Sequence, residues 1–466
     1  MAEAERPQKI LKTVSEDRIS SLPDDLLIRI LSRVPTKDAV VTTTLSKRWR
    51  FVWTMLPILE YKDIKNSDTE SKSVWWFLDQ SMRLYNPAIL ERLCIQLGPQ
   101  CPVDVDVVNW VAKAVDCHVR RLFFQLLWKS EPVPLPRSLH TCKTLKELTL
   151  SEKIIVDVPC PVSLPLLETL NLLTVVYKDE ESHVRLLSGF TILKYLKVVR
   201  IYGVDDNVRN FIVKVPSLRS LTYSQKYQED EDEDEDEEDT DGSLVIDTPT
   251  LVYLEITDTM ANTCSLKYMP SLVEAFINFK FDLDGNFLRS LSSVKHLFLV
   301  LDNSMVPSAV NYPRLTQCDI VLFDTGLCES LVVLLSSCPK LEIFTVNCEP
   351  EIDQELDRVP HLWNQPHSVP ECLSSHLKIF GLKGYAGRED EKEFTRYILE
   401  NSKCLKMAGI LPNSTLSAEV KHKMTEEIKS MCKVSTEVRL LSDRMWYSDV
   451  CTVTNNFVSL TEDFFQ

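Results

Sequence analysis

A short apolar pattern that recurs along the middle of this 466-residue chain is its most constraining feature. Each copy has apolar residues at positions i, i+3 and i+5, and most copies begin 21 to 29 residues after the previous one. Because residues i+3 and i+5 are two apart, they lie on the same face of a β-strand. The copies begin at Leu90, Val119, Leu145, Leu167, Leu193, Leu218, Leu251, Leu272, Val294, Leu315, Leu341 and Leu377.

The spacing of these copies is that of leucine-rich repeats, in which each repeat covers the apolar face of its neighbour. We expect residues i+3 and i+5 in the core and residue i in the turn before each strand. The pattern therefore predicts an α/β fold in which residues 63–359 form a solenoid with a parallel sheet. About eleven degenerate repeats fit into this range.

Positions i+2 and i+4 are expected to point away from the core, onto the concave face with which solenoids usually bind partners. Aromatic side chains on such a face are candidates for target binding. The alternative for the two phenylalanines is that they pack on one another or beneath a covering loop. The candidate target-binding residues are Tyr195, Lys197, Tyr253, Phe276, His296 and Phe298.

The formal net charge of −16 comes mostly from one acidic run. Residues 229–239 are all acidic and Asp241 follows, and removing those twelve charges from −16 leaves −4. The copies at Leu218 and Leu251 are 33 residues apart, and 22 without the eleven consecutive acids, which is one ordinary repeat. We predict that residues 229–241 are an insertion in the outer loop of one repeat, either solvated or in contact with a basic partner. Nucleic-acid binding needs a basic surface and is not expected.

The sequence lacks the patterns on which most catalytic and cofactor sites are built. Only 10 of the 466 residues are glycine, about 2% against a usual share of about 7%. No phosphate-binding glycine loop, GxSxG or HExxH motif occurs. The 14 cysteines contain no CxxC, and the 8 histidines do not pair with other ligands at a familiar spacing. We predict no catalytic residue, no metal site and no cofactor.

The sequence contains neither of the two segments that would indicate secretion or membrane insertion. We find neither a signal-peptide pattern nor an uncharged apolar run of about 18 residues, so we expect no contact with a membrane. Scattered cysteines of this kind are typical of a reducing compartment, where they pack as small apolar residues. We expect a soluble protein of the cytoplasm, the nucleus or both.

Residues 22–56 predict three short helices that are too small to form a core of their own. The first follows Leu22 and ends at Pro35. We expect Thr36 and Ser46 to cap the second and third helices. Such a unit has to bury its apolar surface on the following domain or on another protein. The third helix has apolar residues on one face, namely Trp49, Val52, Trp53 and Leu56.

Two blocks in this region resemble the F-box, in particular that of the plant F-box family with leucine-rich repeats. The first is DRISSLP at 17–23, followed by ILS at 30–32, and the second is LSKRWR at 45–50. The resemblance implies that residues 15–62 form a three-helix module that docks on a Skp-type adaptor and through it on a cullin. Val41 departs from the family, which often has arginine there. The residues that the resemblance assigns to adaptor binding are Leu22, Pro23, Leu26, Ile30, Leu31, Val34, Leu45 and Trp49.

The segment after the repeats, residues 360–440, resembles the FBD region found at this place in many plant F-box proteins. The spacing of Phe394, Tyr397, Ile398 and Leu405 predicts an amphipathic helix after a strand and a glycine turn. We expect this segment to close the open end of the solenoid as an α+β cap. Residues 441–466 would then be a C-terminal tail.

Together these features predict a non-catalytic substrate-recognition subunit of a Skp/cullin/F-box ubiquitin ligase. The helices would hold the adaptor, and the repeats would hold an unidentified protein target. The alternative is a non-degradative scaffold whose acidic loop contacts a basic partner. A receptor for a small molecule is favoured least, because the inner positions show no concentrated polar cluster.

Overall fold

The computed structural model of the chain divides into two compact units. Residues 1–130 and 136–145 form the first unit, and residues 131–135 and 146–466 form the second. The acidic insertion 229–241 and the tail 441–466 lie outside the residues that the structure describes. The described residues are 19, 21–62, 74–85, 89–98, 106–127, 131–159, 161–202, 207–227, 242–258, 263–279, 285–301, 310–322, 328–348, 366, 368–413, 416–431 and 437–440.

The first unit opens with the three predicted helices. They are α1 (Asp24–Leu31), α2 (Thr36–Val41) and α3 (Trp49–Val52), with 3-10 turns at Thr42–Thr44 and Trp53–Met55.

Both predicted caps are wrong. Thr36 is the first residue of α2 and Pro35 precedes the helix in an extended conformation, which its fixed φ favours. The Thr36 hydroxyl instead accepts the backbone N–H of Glu60 at 2.8 Å. Arg48, not Ser46, flanks the start of α3.

Three parallel strands complete the first unit together with two longer helices. Strand β1 (Ile58–Lys62) is followed by α4 (Val74–Leu84), then β2 (Arg92–Leu97), α5 (Val107–Asp116) and β3 (Arg121–Leu126). Strand β2 lies between β1 and β3 and pairs with both. A 3-10 turn at Arg137–Thr141 packs on α5.

The second unit contains a parallel sheet to which its described residues contribute twelve strands, in the order β5-β7-β9-β11-β13-β15-β16-β17-β18-β19-β20-β21. In chain order the strands of this unit are β4 (Val133–Pro134), β5 (Glu147–Glu152), β6 (Ile154–Val156), β7 (Thr169–Leu173), β8 (Val176–Tyr177), β9 (Tyr195–Tyr202), β10 (Asn210–Val213), β11 (Ser220–Tyr227), β12 (Ser243–Ile246), β13 (Tyr253–Asp258), β14 (Thr263–Leu266), β15 (Glu274–Phe279), β16 (His296–Leu301), β17 (Gln317–Leu322), β18 (Ile343–Cys348), β19 (Ile379–Tyr385), β20 (Met407–Pro412) and β21 (Glu437–Leu440). The helices are α6 (Ser182–Ser188), α7 (Gly285–Ser290), α8 (Cys328–Ser336), α9 (Glu371–Ser375), α10 (Glu389–Asn401) and α11 (Ala418–Ser430).

Two smaller parallel sheets accompany the main sheet, β4-β6-β8 and β10-β12-β14. The chain alternates between the sheets, so that one repeat supplies β9 and β10, the next β11 and β12, and the third β13 and β14. Strand β11 ends at Tyr227 and β12 begins at Ser243. The acidic insertion 229–241 therefore occupies, in the sequence, the passage from the main sheet to the second sheet within one repeat.

The repeat pattern predicted the core correctly. Every residue at positions i, i+3 and i+5 of the twelve copies is buried, with an exposed fraction of 3% or less. The strands alternate as expected, since β3, β13 and β15 each switch between half-buried and buried residues along their length. Burial of both strand positions in each copy fixes the register of each strand against its neighbour.

The C-terminal segment continues the main sheet with β19, β20 and β21 and adds the predicted helix as α10. Phe394, Tyr397 and Ile398 are buried on that helix, as expected. Leu405 is buried too, but it lies beyond the helix, which ends at Asn401. The glycine turn before it requires glycine at Gly384, where φ is +78° and a Cβ would lie 2.0 Å from the carbonyl oxygen of Cys348.

A polar cluster inside the second unit was not predicted by the repeat pattern. His183 is fully buried, stacks on Phe211 with ring centroids 4.4 Å apart, and accepts the backbone N–H of Ile212 at 2.9 Å. The guanidinium of buried Arg200 lies 5.1 Å from the centre of the same Phe211 ring. Burial and the charge of Arg200 lower the pKa of His183 to about 4, against the opposing charge of Glu180.

The buried histidine predicts a pH dependence of folding. Because the folded state excludes a proton that unfolded His183 takes up near its ordinary pKa of 6.5, its stabilising contribution is complete above that pH. The contribution is lost as the pH falls towards about 4. Urea unfolding curves between these pH values should therefore show a shallower loss of stability for His183→Gln than for the wild type. The exposed His422 of the same unit supplies the control, His422→Gln, and parallel pH curves for wild type and His183→Gln would contradict the account.

Candidate interaction surfaces

The helices of the first unit carry an unusual amount of exposed apolar surface. Eight of the nineteen large apolar side chains that are exposed among the described residues fall between positions 19 and 55. Exposed apolar side chains concentrated in one small module are typical of protein-binding sites. They are Ile19, Leu26, Ile30, Val34, Val41, Leu45, Phe51 and Met55, and we call them the helical apolar surface.

The residues that were assigned to adaptor binding divide into two groups. Leu26, Ile30, Val34 and Leu45 belong to the helical apolar surface; Pro23 is exposed and Leu22 is half-buried. Leu31 and Trp49, in contrast, are 4% and 3% exposed. These two side chains support the helices from inside the unit rather than lining its surface.

The apolar stripe of α1 therefore has two faces. Leu27 and Leu31 are one turn apart and buried, whereas Leu26 and Ile30, also one turn apart, are exposed. Helix α1 packs against α3 and the following 3-10 turn. The same division applies to the third helix, where Trp49 and Val52 are buried while Phe51 is 69% exposed. The helical spacing could have predicted an outward Phe51, since it lies off the predicted buried face.

Arg48 joins the two blocks of sequence on which the F-box resemblance rests. Its guanidinium donates from Nε to a carboxylate oxygen of Asp24 at 2.8 Å and from Nη2 to the backbone carbonyl of Leu22 at 2.6 Å. These bonds hold the start of α1 against the start of α3. A surface that is fixed in this way loses less conformational entropy when a partner binds.

The helices also pack on the strand that follows them. Beyond the bond between Thr36 and Glu60, the hydroxyl of Tyr85 donates to the backbone carbonyl of Leu56. Trp53 and Leu56 are buried as predicted. The helical module therefore buries one side within the first unit and leaves the helical apolar surface uncovered there.

The predicted target-binding residues lie in two rows across the main sheet of the second unit. The register aligns position i+2 of successive strands in one row and position i+4 in the next. From β9 to β17 the first row is Tyr195, Ser220, Tyr253, Glu274, His296 and Gln317. The second row is Lys197, Thr222, Glu255, Phe276, Phe298 and Asp319.

The predicted target-binding side chains in these rows remain partly exposed, and several contact their neighbours. Phe276 and Phe298 stack with centroids 4.2 Å apart and an angle of 9° between the rings, as the packing alternative predicted. The Nδ1 atom of His296 lies 3.3 Å from a carboxylate oxygen of Glu274. Tyr195 is exposed, whereas Lys197, Tyr253, Phe276, His296 and Phe298 are half-buried. The sheet thus brings four of the six predicted residues together on adjacent strands β13, β15 and β16, whereas Tyr195 and Lys197 lie on β9, two strands away from Tyr253.

Most of the cysteines whose surroundings the structure describes are in the interior. Seven of the nine are buried, and Cys264 and Cys404 are the two that are not. Burial raises the pKa of Cys348 and of Cys372 to about 12, which makes these thiols poor nucleophiles at neutral pH.

No group of three or more His, Cys, Asp or Glu side chains in the described ranges is arranged to hold a metal ion. Of the helices that the structure describes, none combines the length and apolar character needed to cross a membrane.

Comparisons with known proteins match three parts of the chain to family models. The F-box domain matches residues 19–61, which hold α1 to α3, and the FBD model matches residues 365–410. A model described as "FBD-associated F-box protein At5g56370, LRR repeats" matches residues 107–237.

Curated relatives from Arabidopsis thaliana are similar to the chain over most of its length. It is 54% identical to "Putative F-box/FBD/LRR-repeat protein At3g49480", over 93% of this chain and 97% of that protein. It is 44% identical to "Putative FBD-associated F-box protein At1g05080", over 95% of this chain and 100% of that protein. Identity to "Putative F-box/FBD/LRR-repeat protein At1g22000" is 45%, over 92% of each chain.

The two groups of apolar residues in the helices should differ sharply when they are truncated. Trp49→Ala removes a buried indole and should lower the free energy of unfolding by about 3–5 kcal/mol. Phe51→Ala removes a mostly exposed ring and should change it by no more than about 0.5 kcal/mol. Urea unfolding of the two full-length variants measures the difference, and equal losses would show that Phe51 is part of the core.

Proposed function

This chain belongs to the F-box/FBD/LRR-repeat family of plant proteins, and we propose that it is the substrate-recognition subunit of a Skp/cullin/F-box ubiquitin ligase. The F-box and the repeats indicate a subunit that recognises substrates and links them to other proteins. In the proposed complex the F-box helices bind a Skp-type adaptor, which connects the chain to a cullin. The sheet of the second unit binds the protein to be ubiquitinated.

The helical apolar surface is the observation that carries this proposal. Its side chains belong to the segment that matches the F-box, and the first unit leaves them exposed. Covering apolar surface gains roughly 25 cal/mol per Å², so a partner that covers it gains affinity from every side chain it buries. Leu31 and Trp49 contribute indirectly, since they pack inside the unit beneath the exposed residues. Arg48 contributes by fixing the start of α1.

The main sheet of the second unit supports the other half of the proposed role. Its register holds four of the six predicted target-binding residues on adjacent strands, so their spacing is set by the sheet and not by flexible loops. The acidic insertion 229–241 lies outside the described residues, and the proposal assigns it no role.

The chain would accelerate ubiquitin transfer without chemistry of its own. A subunit that holds the target beside the loaded conjugating enzyme raises the effective concentration of acceptor lysines there. Burial raises the pKa of the Cys338, Cys348 and Cys372 thiols, so these three cysteines are poor nucleophiles at neutral pH. The proposed site of action is the cytoplasm or the nucleus. These compartments are reducing, which agrees with the free thiols of the described cysteines.

Charge placed on the helical apolar surface should abolish capture of the adaptor. In Ile30→Arg and Leu45→Arg, docking would bury an unpaired guanidinium, so retention of a purified Skp-type adaptor by the immobilised full chain should fall at least tenfold. The two native side chains are exposed, so neither substitution should disturb folding of the free protein.

A matched control lies in the same unit, outside the F-box helices. Val108 on α5 is also an exposed apolar residue, and Val108→Arg should retain the adaptor as the wild type does. If wild-type protein does not retain the adaptor, or if all three variants retain it equally, the proposed docking role is wrong.

A further inference from the structure

One row of side chains on the main sheet has an arrangement that the repeat pattern does not require. The row occupies position i+4 of six neighbouring strands, from β11 to β18. Two phenylalanines are in the middle, one acidic residue follows on each side, and a threonine stands at each end. In strand order the row is Thr222, Glu255, Phe276, Phe298, Asp319 and Thr345. We call it the aromatic-acidic row.

The carboxylate of Glu255 is held in place by two hydroxyl groups. Thr222 donates from Oγ1 to Oε2 of Glu255 at 3.1 Å, and Tyr253 donates from its hydroxyl to the same oxygen at 3.0 Å. Neither of these bonds uses Oε1. The side chain is therefore oriented by the protein and keeps one oxygen for a further donor.

Asp319 is held in a corresponding way at the other end of the phenylalanine pair. Gln317 donates from Nε2 to Oδ2 at 2.8 Å, and the Thr345 hydroxyl donates to Oδ1. Burial raises the pKa of Asp319, and the hydrogen bonds from Thr345 and Gln317 oppose the shift. A carboxylate that is partly withdrawn from water gains more from a cationic ligand than an exposed one does.

The outer faces of the two stacked phenyl rings are turned towards the strands that carry the carboxylates. Their 4.2 Å separation and near-parallel planes are close to the spacing of neighbouring strands, so the rings stack in the direction in which the strands succeed each other. The outer face of Phe276 is thus turned towards β13, which carries Glu255, and that of Phe298 towards β17, which carries Asp319. Both rings remain partly exposed.

The outward positions around the pair carry carboxylates but neither lysine nor arginine. Positions i+2, i+4 and i+6 of β13, β15, β16 and β17 include no lysine and no arginine in the sequence. They include Glu274 as a third carboxylate, which lies two residues before Phe276 on the same strand and contacts His296. An aromatic face beside a carboxylate is the combination that binds guanidinium groups, through the ring quadrupole and through charged hydrogen bonds.

We propose that the aromatic-acidic row binds an arginine side chain in an extended segment of the target protein. This inference deepens the proposed function, since it names the chemistry by which the sheet recognises its target. Arginine fits better than lysine because its planar guanidinium both stacks on a ring and presents several donors in one plane. Glu255 and Asp319 are three strands apart, about 14 Å, so one guanidinium pairs with one carboxylate at a time.

The test uses a display library of fully randomised nonapeptides selected on the immobilised full-length chain. Arginine should be enriched over lysine among the bound peptides. A selected peptide is then made with its arginine replaced by citrulline, a neutral group of the same shape, and its affinity is measured by fluorescence polarisation. Citrulline should weaken binding about tenfold, which is the typical effect of losing one charged hydrogen-bond partner.

Variants of the row connect this loss to the proposed residues. Glu255→Gln and Asp319→Asn remove charge at nearly constant shape. At least one of them should weaken binding of the arginine peptide about tenfold and leave the affinity for the citrulline peptide unchanged. The double variant Phe276→Leu, Phe298→Leu should weaken binding of the arginine peptide as well. Tyr268→Ala, at an exposed aromatic residue in the loop between β14 and β15, should have no effect on either peptide.

Several results would overturn the inference. These are a selection that yields no binding peptides, a selection without enrichment of arginine, and equal affinity for the arginine and citrulline peptides. Tighter binding of a peptide in which lysine replaces the selected arginine would overturn it as well. The comparison between peptides on wild-type protein does not depend on the folding of any variant. Retention of the Skp-type adaptor is measured on the same proteins, because loss of adaptor binding with intact peptide selectivity would overturn the proposed function and leave this inference standing.

Discussion

Each repeat of this chain buries its apolar residues only because a neighbouring repeat covers them, and the remaining features of the second unit depend on that mutual burial. Residues at i+3 and i+5 are buried in every copy, which fixes the register of each strand against the next. Once the register is fixed, the outward positions necessarily align in rows. The aromatic-acidic row is therefore a consequence of core packing, and a one-residue slip would turn its side chains into the core.

The first unit satisfies the same requirement in a different way. Its helices are too short to enclose a core, so they bury Leu27, Leu31, Trp49 and Trp53 within the unit and keep a second set of apolar side chains on the surface. In the free protein, exposure of this second set of apolar side chains to water is energetically unfavourable. In a subunit of a complex it becomes the docking surface, which is why we assign the F-box helices to the adaptor and the repeats to the target.

The sequence predicted the periodic features of this protein well and the individual polar contacts poorly. The repeats, the three helices and the strand, turn and helix around Gly384 could be derived because apolar spacing and glycine conformation are local properties. The burial of Leu31 and Trp49 could not be derived from the family motif, since a motif does not distinguish residues that touch a partner from residues that support them. The cluster of His183 and Arg200 was missed because its members come from separate repeats and meet only in the folded core. The carboxylates beside Phe276 and Phe298 were visible as residue types, but the hydroxyl groups that orient them required the register.

The central claim is that the chain binds its adaptor and its target through separate surfaces. Hydrogen–deuterium exchange of the full-length protein, with and without a purified Skp-type adaptor, tests this most directly because it reports on every segment at once. The account predicts slower exchange after adaptor binding in peptides that cover residues 22–56, and unchanged exchange in those that cover β13 to β17. Slower exchange confined to β13 to β17, or no change in residues 22–56 while the adaptor is bound, would contradict it.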